Sequence, residues 1–377
     1  MDISTDRGFY ERYVSPSFAQ IFLQPTTYCP ANCTYCYLPG RDARNSMKLE
    51  VADAVAASIL DQNADHSVNV VWHGGEPLAL PVPEFIRRLE SFEALRRAGR
   101  VRHTVQTNGM LINEAWCDVF LEYGFNVGIS IDGPREANLN RVNWAGRPFF
   151  DHILRGIETL KKREVKFSAI CVVTPETVGR PNQLLDFFDS LGASHVGFNV
   201  EEIEGQNIAR PDVDESAVAG FWDAVVRHQR RGTGVRVREI QRLVDYLTLA
   251  RNGKKQLWLD TPNDPGPAVS WDGRVVLMSP ELMGTRAPHY DDFIVGNILD
   301  ESLPSMLARA HEVKYVSEFM HGLAECETTC SFWDMCRGAQ ASNRYAERSH
   351  FAVTETAHCR NTRQAPIHSM AAAFDIR

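Results

Sequence analysis

Short apolar runs and helically spaced apolar stripes alternate along the first half of the chain. Residues 19–24, built on the apolar run Ile21-Phe22-Leu23, read as a first buried strand. Over residues 49–63, Val51, Ala52, Val55, Ile59 and Leu60 recur at helical spacing, and Val68-Asn69-Val70-Val71-Trp72 is a second β-rich run. The beat continues with a helix over residues 83–98, a strand over 102–106, a helix over 113–123 and a strand over 126–131. An amphipathic helix over 150–163, a strand over 166–173, a helix over 182–191 and a sixth strand over 195–200 complete it. Such alternation with short connections predicts a parallel α/β arrangement, either an open doubly wound sheet or a barrel. In both, chemistry collects at the carboxyl ends of strands. The unusual polar and glycine-rich clusters of this half all fall there.

The period then changes. Residues 216–249 are helical, with Phe221, Val225 and Val226 on one face and Leu243, Tyr246 and Leu247 on another. Pro262-Asn263-Asp264-Pro265-Gly266-Pro267 is a loop signature. Residues 268–277 read as a hairpin turned by Asp272-Gly273. A short helix over 303–307 precedes a loop-rich tail that holds a second group of cysteines. The expected division is a lead-in over 1–18 without a clear period, a catalytic unit with trailing helices over 19–252, and a cysteine-rich unit over 253–377.

Composition narrows the function classes. With 377 residues, 44% hydrophobic, 23% charged and a net charge of −8, the chain fits one large α/β domain plus a smaller one. No basic stripe argues for nucleic acid, and no apolar run reaches the roughly twenty residues of a membrane span. The first residues lack the pattern of a signal peptide. A cytoplasmic location is expected, and there nine cysteines serve as thiols rather than disulfides. Cys117 and Cys171 sit in apolar contexts and read as core residues.

The other seven cysteines carry the chemistry. Cys29, Cys33 and Cys36 follow the first strand with three and then two residues between them. Zinc ordinarily takes four ligands, and the nearest histidine is His66; a redox dithiol needs only two thiols. Three thiolates on one loop suit a 4Fe–4S cluster whose fourth iron stays open to an exogenous ligand. Cys326, Cys330, Cys336 and Cys359 supply four thiolates for a closed second cluster, a structural zinc site being the alternative.

These residues carry a resemblance. Cys29-x₃-Cys33-x₂-Cys36, with Tyr35 before the last cysteine, resembles the signature of the radical S-adenosylmethionine (SAM) superfamily. Gly74-Gly75-Glu76-Pro77, Gln106-Thr107-Asn108-Gly109 and Ser130-Ile131-Asp132-Gly133-Pro134, with Arg141 following, resemble motifs of its peptide-modifying branch. The resemblance covers about residues 19–205. It implies a partial (β/α)6 TIM-like barrel in which Tyr35, Gly74, Gly75, Glu76, Pro77, Gln106, Asn108, Ser130, Asp132, Arg141 and Asn199 contact SAM. The tail resembles a SPASM domain. It departs from the fuller pattern in its first x₃ gap, and in having Val276 to Met278 where a further cysteine is expected, so one auxiliary 4Fe–4S cluster is implied.

Asn199-Val200-Glu201-Glu202-Ile203-Glu204-Gly205, Ser279-Pro280-Glu281 and the residues around Ser342-Asn343 resemble a subgroup that matures Gly-rich-repeat and cyclophane-bearing peptides. That resemblance implies oxidative carbon–carbon cross-linking of an aromatic ring to a side-chain β-carbon in a ribosomally made precursor peptide. It also implies an electron donor such as a flavodoxin or ferredoxin. Thioether formation and formylglycine-type oxidation are sibling reactions; a metal-stabilised scaffold or sensor is the non-enzymatic alternative. Asp132, Glu202, Glu204 and Glu281 are candidate catalytic bases. Pairing of an extended leader segment with a sheet edge is the expected mode of peptide recognition. Replacing Cys29, Cys33 and Cys36 together by Ala is expected to abolish SAM cleavage while about half of the iron, held by the tail thiolates, remains. Anaerobic reconstitution with iron analysis and a 5′-deoxyadenosine assay checks this.

Overall fold

The computed structural model describes residues 6–62, 64–232 and 234–374. The first five residues of the predicted lead-in, and Asn63 at the end of the predicted first helix, lie outside the described residues. Six parallel strands follow one another in chain order: β1 (Gln20–Leu23), β2 (Val68–Trp72), β3 (Val101–Thr107), β4 (Asn126–Ser130), β5 (Phe167–Val173) and β6 (His195–Val200). A doubly wound sheet would reverse its strand order at a switch point. This one does not, so its crossovers lie on one face, and the order is that of a partial (β/α)6 barrel.

Three further strands lengthen one edge and one lengthens the other. β7 (Arg236–Val237) pairs parallel with β6, and β8 (Ala268–Val269) pairs parallel with β1. β9 (Arg274–Val276) and β10 (Gly296–Asn297) continue antiparallel from β8. Thus the predicted hairpin forms, turned at Gly273 with φ +90°, and joins the barrel's own sheet. Along β3 and β5 burial alternates: Val101, His103, Val105 and Phe167, Ala169, Cys171 face the helices. Thr104, Gln106, Ser168 and Ile170 line the other, half-open face. That inner face is where ligand-binding side chains belong.

The helical layer is held by aromatic packing. Trp72 lies 4.9 Å from Phe85 and 5.9 Å from Phe92, and its Nε1 donates to His103 Nδ1 at 3.2 Å. Burial pushes the His103 pKa down to about 3, which keeps that nitrogen an acceptor. The predicted helix over 83–98 is two, Val82–Glu90 and Glu93–Arg97. The pattern over 216–249 likewise splits into Glu215–Arg230 and Arg238–Arg251, around Gly232 and Gly234 at φ +69° and +89°.

The lead-in holds a helix, and the expectation for the tail needs correction. The lead-in helix is Arg7–Tyr13, whose Tyr13 hydroxyl donates to Glu327 at 2.6 Å. Its seven residues are too few to show a period, and contact with a distant helix stabilises it. The tail is also not loop-rich. It contains Lys314–Thr329, Trp333–Cys336, Ala341–Arg348, Ala357–Cys359 and Ala365–Ala373. Trp222 Nε1 donates to the Asn361 carbonyl at 2.8 Å, tying this tail to the barrel's trailing helix. Gly322, within Lys314–Thr329, lies against the segment after it: an added Cβ would stand 2.1 Å from Arg344 Nη1 and 2.7 Å from the Phe351 carbonyl. Gly322→Ala is therefore expected to destabilise the protein by about 1–3 kcal/mol in urea unfolding.

Candidate active site

The three-cysteine loop leaves β1 between two straps. On one side Cys29 N donates to Arg41 O at 2.9 Å, Thr27 N to Asn45 O at 3.1 Å and Met47 N to Pro25 O at 2.8 Å. On the other, Asn32 N donates to Val142 O at 2.7 Å and Thr34 N to Asn140 O at 3.0 Å. The loop is thus held by backbone pairing along its length. Its three thiols are free, Cys29 buried and Cys33 and Cys36 half-buried. Burial pushes the Cys29 thiol up, and pushes Cys33 up to about 11 against the pull of Arg141. Cys29 also feels Cys33 and Cys36 as like charges. Adjacent buried thiolates need a positive group among them, and the irons of a cluster supply that charge. The residues fit the 4Fe–4S group that the spacing predicts.

The strand-end motifs surround this loop. Gly74 and Gly75 have φ +81° and +66°, and a Cβ on Gly75 would lie 2.3 Å from the Thr26 carbonyl. Only glycine lets the end of β2 run so close under the cysteine loop. The Glu76 carboxylate accepts from Thr107 Oγ1 at 2.6 Å, Asn108 N at 2.8 Å and Leu78 N at 3.1 Å. Three of its four lone-pair positions are so occupied, which fixes the ends of β2 and β3 and leaves one for a ligand. Burial raises its pKa to about 7 against those donors. Asn108 Nδ2 stands 3.6 Å from Cys29 Sγ, and Pro77 opens a short turn.

Inside the barrel Gln106 Nε2 donates to Ser130 Oγ at 2.8 Å. Gly128 leaves room for it, since a Cβ there would meet Gln106 Oε1 at 2.3 Å. Asp132 is fully buried. It accepts from the Tyr35 hydroxyl, from Arg141 Nη2 at 2.8 Å and from Val172 N at 2.9 Å. The structure thus brings Tyr35, Asp132 and Arg141 together. Asn199 stands apart, exposed, with its Oδ1 taken by Arg238 at 2.7 Å.

Glu202, Glu204 and Glu281 converge. Glu281 accepts from Ser279 Oγ at 2.6 Å, and that hydroxyl also lies 2.8 Å from Ser342 Oγ. Glu202 accepts from Asn343 Nδ2, and its Oε2 stands 2.8 Å from His358 Nδ1, off the line of a hydrogen bond. Glu204 Oε1 is buried without a partner among the described residues, as are Asn343 Oδ1 and His358 Nε2. Burial and then Glu202 and Glu281 raise the Glu204 pKa well above the usual carboxylate range, with Ser342 pulling the other way. Burial raises Glu281 as well. Tyr37, next to Cys36 in the chain, faces these carboxylates: after burial, Glu281, Cys36, Glu204 and Glu202 push its hydroxyl up. Sequence reasoning misses Tyr37 and His358. Their one signal is adjacency to Cys36 and Cys359.

The second group assembles from three places in the tail. Cys326 lies in the last turn of Lys314–Thr329 and Cys330 caps that helix, its N donating to Cys326 O at 2.9 Å; Cys336 ends another helix; Cys359 N donates to Thr356 Oγ1 at 3.1 Å. Arg344, fully buried, places Nη2 3.4 Å from Cys326 Sγ. Burial pushes Cys326 to about 11, Arg344 opposes it, and Cys359, Cys330 and Cys336 add to it as like charges. Four thiols gathered around Cys326 also fit a cluster. Among the described residues no three His, Cys, Asp or Glu side chains converge on a single-ion position.

A partial parallel barrel with a three-thiol loop after its first strand and SAM-type motifs at the next strand ends defines a class of radical enzymes. The comparisons agree. Residues 23–201 match the Radical SAM superfamily model. An uncharacterised protein of Synechocystis is 33% identical over 90% of this chain and 88% of its own. The cysteine-type anaerobic sulfatase-maturating enzyme of Clostridium perfringens is 32% identical over 86% and 88%. The solved structure of anSMEcpe with AdoMet and a peptide superposes with a TM-score of 0.75 at 22% identity, covering 95% of this chain and 98% of that one. Streptococcus suis SuiB with its precursor peptide SuiA superposes at 0.64 and 14% identity, covering 90% and 75%. The chain belongs to the radical SAM superfamily, and it is an enzyme whose cofactors are SAM and 4Fe–4S. Gly75→Ala forces a Cβ into the Thr26 carbonyl, so SAM affinity of the reconstituted protein is expected to fall about tenfold or more in equilibrium dialysis.

Proposed function

We propose that this enzyme oxidises a side chain of a ribosomally made peptide, joining an aromatic ring to a β-carbon as a cyclophane. When bound, the first cluster with SAM supplies a hydrogen-abstracting radical, and the four-thiolate cluster supplies an electron acceptor. Cys29, Cys33 and Cys36 would hold the first, and Cys326, Cys330, Cys336 and Cys359 one auxiliary cluster. Gly74, Gly75, Glu76, Gln106, Asn108, Ser130 and the Tyr35–Asp132–Arg141 group would orient SAM. Nine cysteines kept as thiols fit a cytoplasmic setting.

The observation that supports this reading is the carboxylate chamber between Tyr37, beside the first cysteine group, and His358, beside the last member of the second. Ring substitution leaves one proton to remove as aromaticity returns. Of the four candidate carboxylates, Asp132 is tied into an ion pair with Arg141 and accepts from Tyr35 and Val172 N, Glu202 accepts from Asn343, and Glu281 accepts from Ser279. Glu204 keeps a buried oxygen free, and burial among other carboxylates raises its affinity for a proton, as a proton acceptor in this chamber requires. A second reading, formylglycine-type oxidation of Ser or Cys, draws support from the sulfatase-maturating relative. It shares β-hydrogen abstraction and differs in product.

Anaerobic incubation with SAM, reductant and a synthetic peptide of repeated aromatic-containing triplets separates the two. A product lighter by two hydrogens that resists backbone fragmentation within the triplet supports the cyclophane; a hydrazide-reactive aldehyde supports the alternative. Glu204→Gln is expected to keep SAM cleavage while cross-linked product falls about 10²-fold or more. The same substitution gives a stability test. A carboxyl whose folded pKa is raised favours folding at low pH and loses that contribution as pH rises from the unfolded value through the folded one. Glu204→Gln should therefore raise Tm relative to wild type at pH 8, with the difference vanishing below about pH 4.

A further inference from the structure

The outer side of the cysteine loop carries a feature that neither SAM binding nor the carboxylate chamber uses. The strap over residues 139–148 folds back on itself, Val142 bridging Pro148, and presents Trp144 at its turn. Trp144 is 47% exposed, yet its Nε1 donates to the carbonyl of Cys29 at 2.8 Å. Leu139, on the same strap, is 60% exposed. A large aromatic held by a first-cluster ligand and left open to solvent is the kind of anchor that protein interfaces use.

Charge gathers around it. Arg41 lies 5.9 Å from the Trp144 ring and donates to Leu38 O and Asn32 Oδ1, not to a carboxylate. Arg44, exposed on the same strap as Arg41, covers the Tyr28 ring at 4.0 Å. Arg147 is exposed within the Trp144 turn, where only its backbone is engaged. Residues 139–148 contain no acidic side chain, and residues 38–48 contain Asp42 alone. In a chain of net charge −8, Arg41, Arg44 and Arg147 flank the cysteine loop with no carboxylate partner among the described residues.

We infer that Trp144, Leu139, Arg41, Arg44 and Arg147 form the docking surface for an acidic one-electron carrier protein of the flavodoxin or ferredoxin kind. The step is a single electron transfer: the carrier is oxidised by one electron and the Cys29–Cys33–Cys36 site is reduced by one, with no proton or bond exchanged. Transfer falls steeply with distance, so a carrier must seat where this loop nears the surface. Charge complementarity selects an acidic partner and speeds its encounter. A peptide substrate is disfavoured here, because the free acceptor atoms suited to it lie at the other end of the loop, beyond Tyr37. The inference rests on the radical SAM assignment, not on the peptide product.

The test uses reconstituted enzyme with Arg44→Glu/Arg147→Glu and, separately, Trp144→Ala. SAM cleavage is driven either by dithionite or by an acidic flavodoxin with its NADPH-dependent reductase, and flavodoxin binding is followed by interferometry across a salt series. The expected result is dithionite-driven cleavage within about twofold of wild type, with flavodoxin Kd and flavodoxin-driven cleavage worse by about tenfold in both variants. The salt dependence of binding should flatten in the charge-reversed pair. Unchanged flavodoxin binding and cleavage would overturn the assignment. So would loss of dithionite-driven cleavage in both variants, which would make these side chains part of the cluster site. Normal flavodoxin-driven cleavage with lost peptide processing would give the surface to the peptide instead.

Discussion

A fully buried carboxylate, Asp132, is the tie on which the rest of this site depends. It closes β4 and accepts from Tyr35 in the cysteine loop, from Arg141 in the outer strap and from the backbone of β5. Its own N–H donates to Asn138 Oδ1 at 2.9 Å, which begins the turn toward that strap. Three chain segments that share no secondary structure are thereby held at one atom group. Breaking a buried, hydrogen-bonded ion pair by removing one partner costs about 3–5 kcal/mol, because the remaining charge is stranded. That cost makes the loop's position a property of the barrel.

Around this tie, close backbone approach and the removal of side chains do most of the shaping. Gly75 lets the end of β2 pass beneath Thr26, and Gly128 clears the space that Gln106 needs to reach Ser130. Glu76 then locks the β2 and β3 ends together through Thr107 and Asn108. A ligand entering here meets backbone and a few fixed polar atoms, which is the condition for orienting a cofactor without reorganisation.

The two cysteine groups and the carboxylates share one electrostatic character. Buried thiols push one another toward the neutral form, as do Glu204, Glu281 and their neighbours. Each group is costly alone and becomes favourable with a partner, positive iron for the thiolates and a proton for the carboxylates. The outer face of the loop has the opposite character, with unpaired arginines around a bonded tryptophan. The loop therefore separates an acidic interior from a basic exterior.

The order of strands and helices, the hairpin at Gly273 and the cysteine spacings were legible because each is local: period, turn chemistry and ligand separation are written in adjacent residues. The strand-end motifs were legible for the same reason. What was not legible was short or dependent on distant contact, such as the helix Arg7–Tyr13 and the helices of the tail, whose apolar positions gain their burial from other segments. Tertiary structure alone decided that Asp132 is tied to three chain segments by its donors and that Glu204 retains a free oxygen. It alone brought Tyr37, Asn343 and His358 to the same carboxylates, and Trp144 to Cys29. Hydrogen-bond saturation and burial depend on which distant atoms arrive at a place, and no local pattern of residues encodes that.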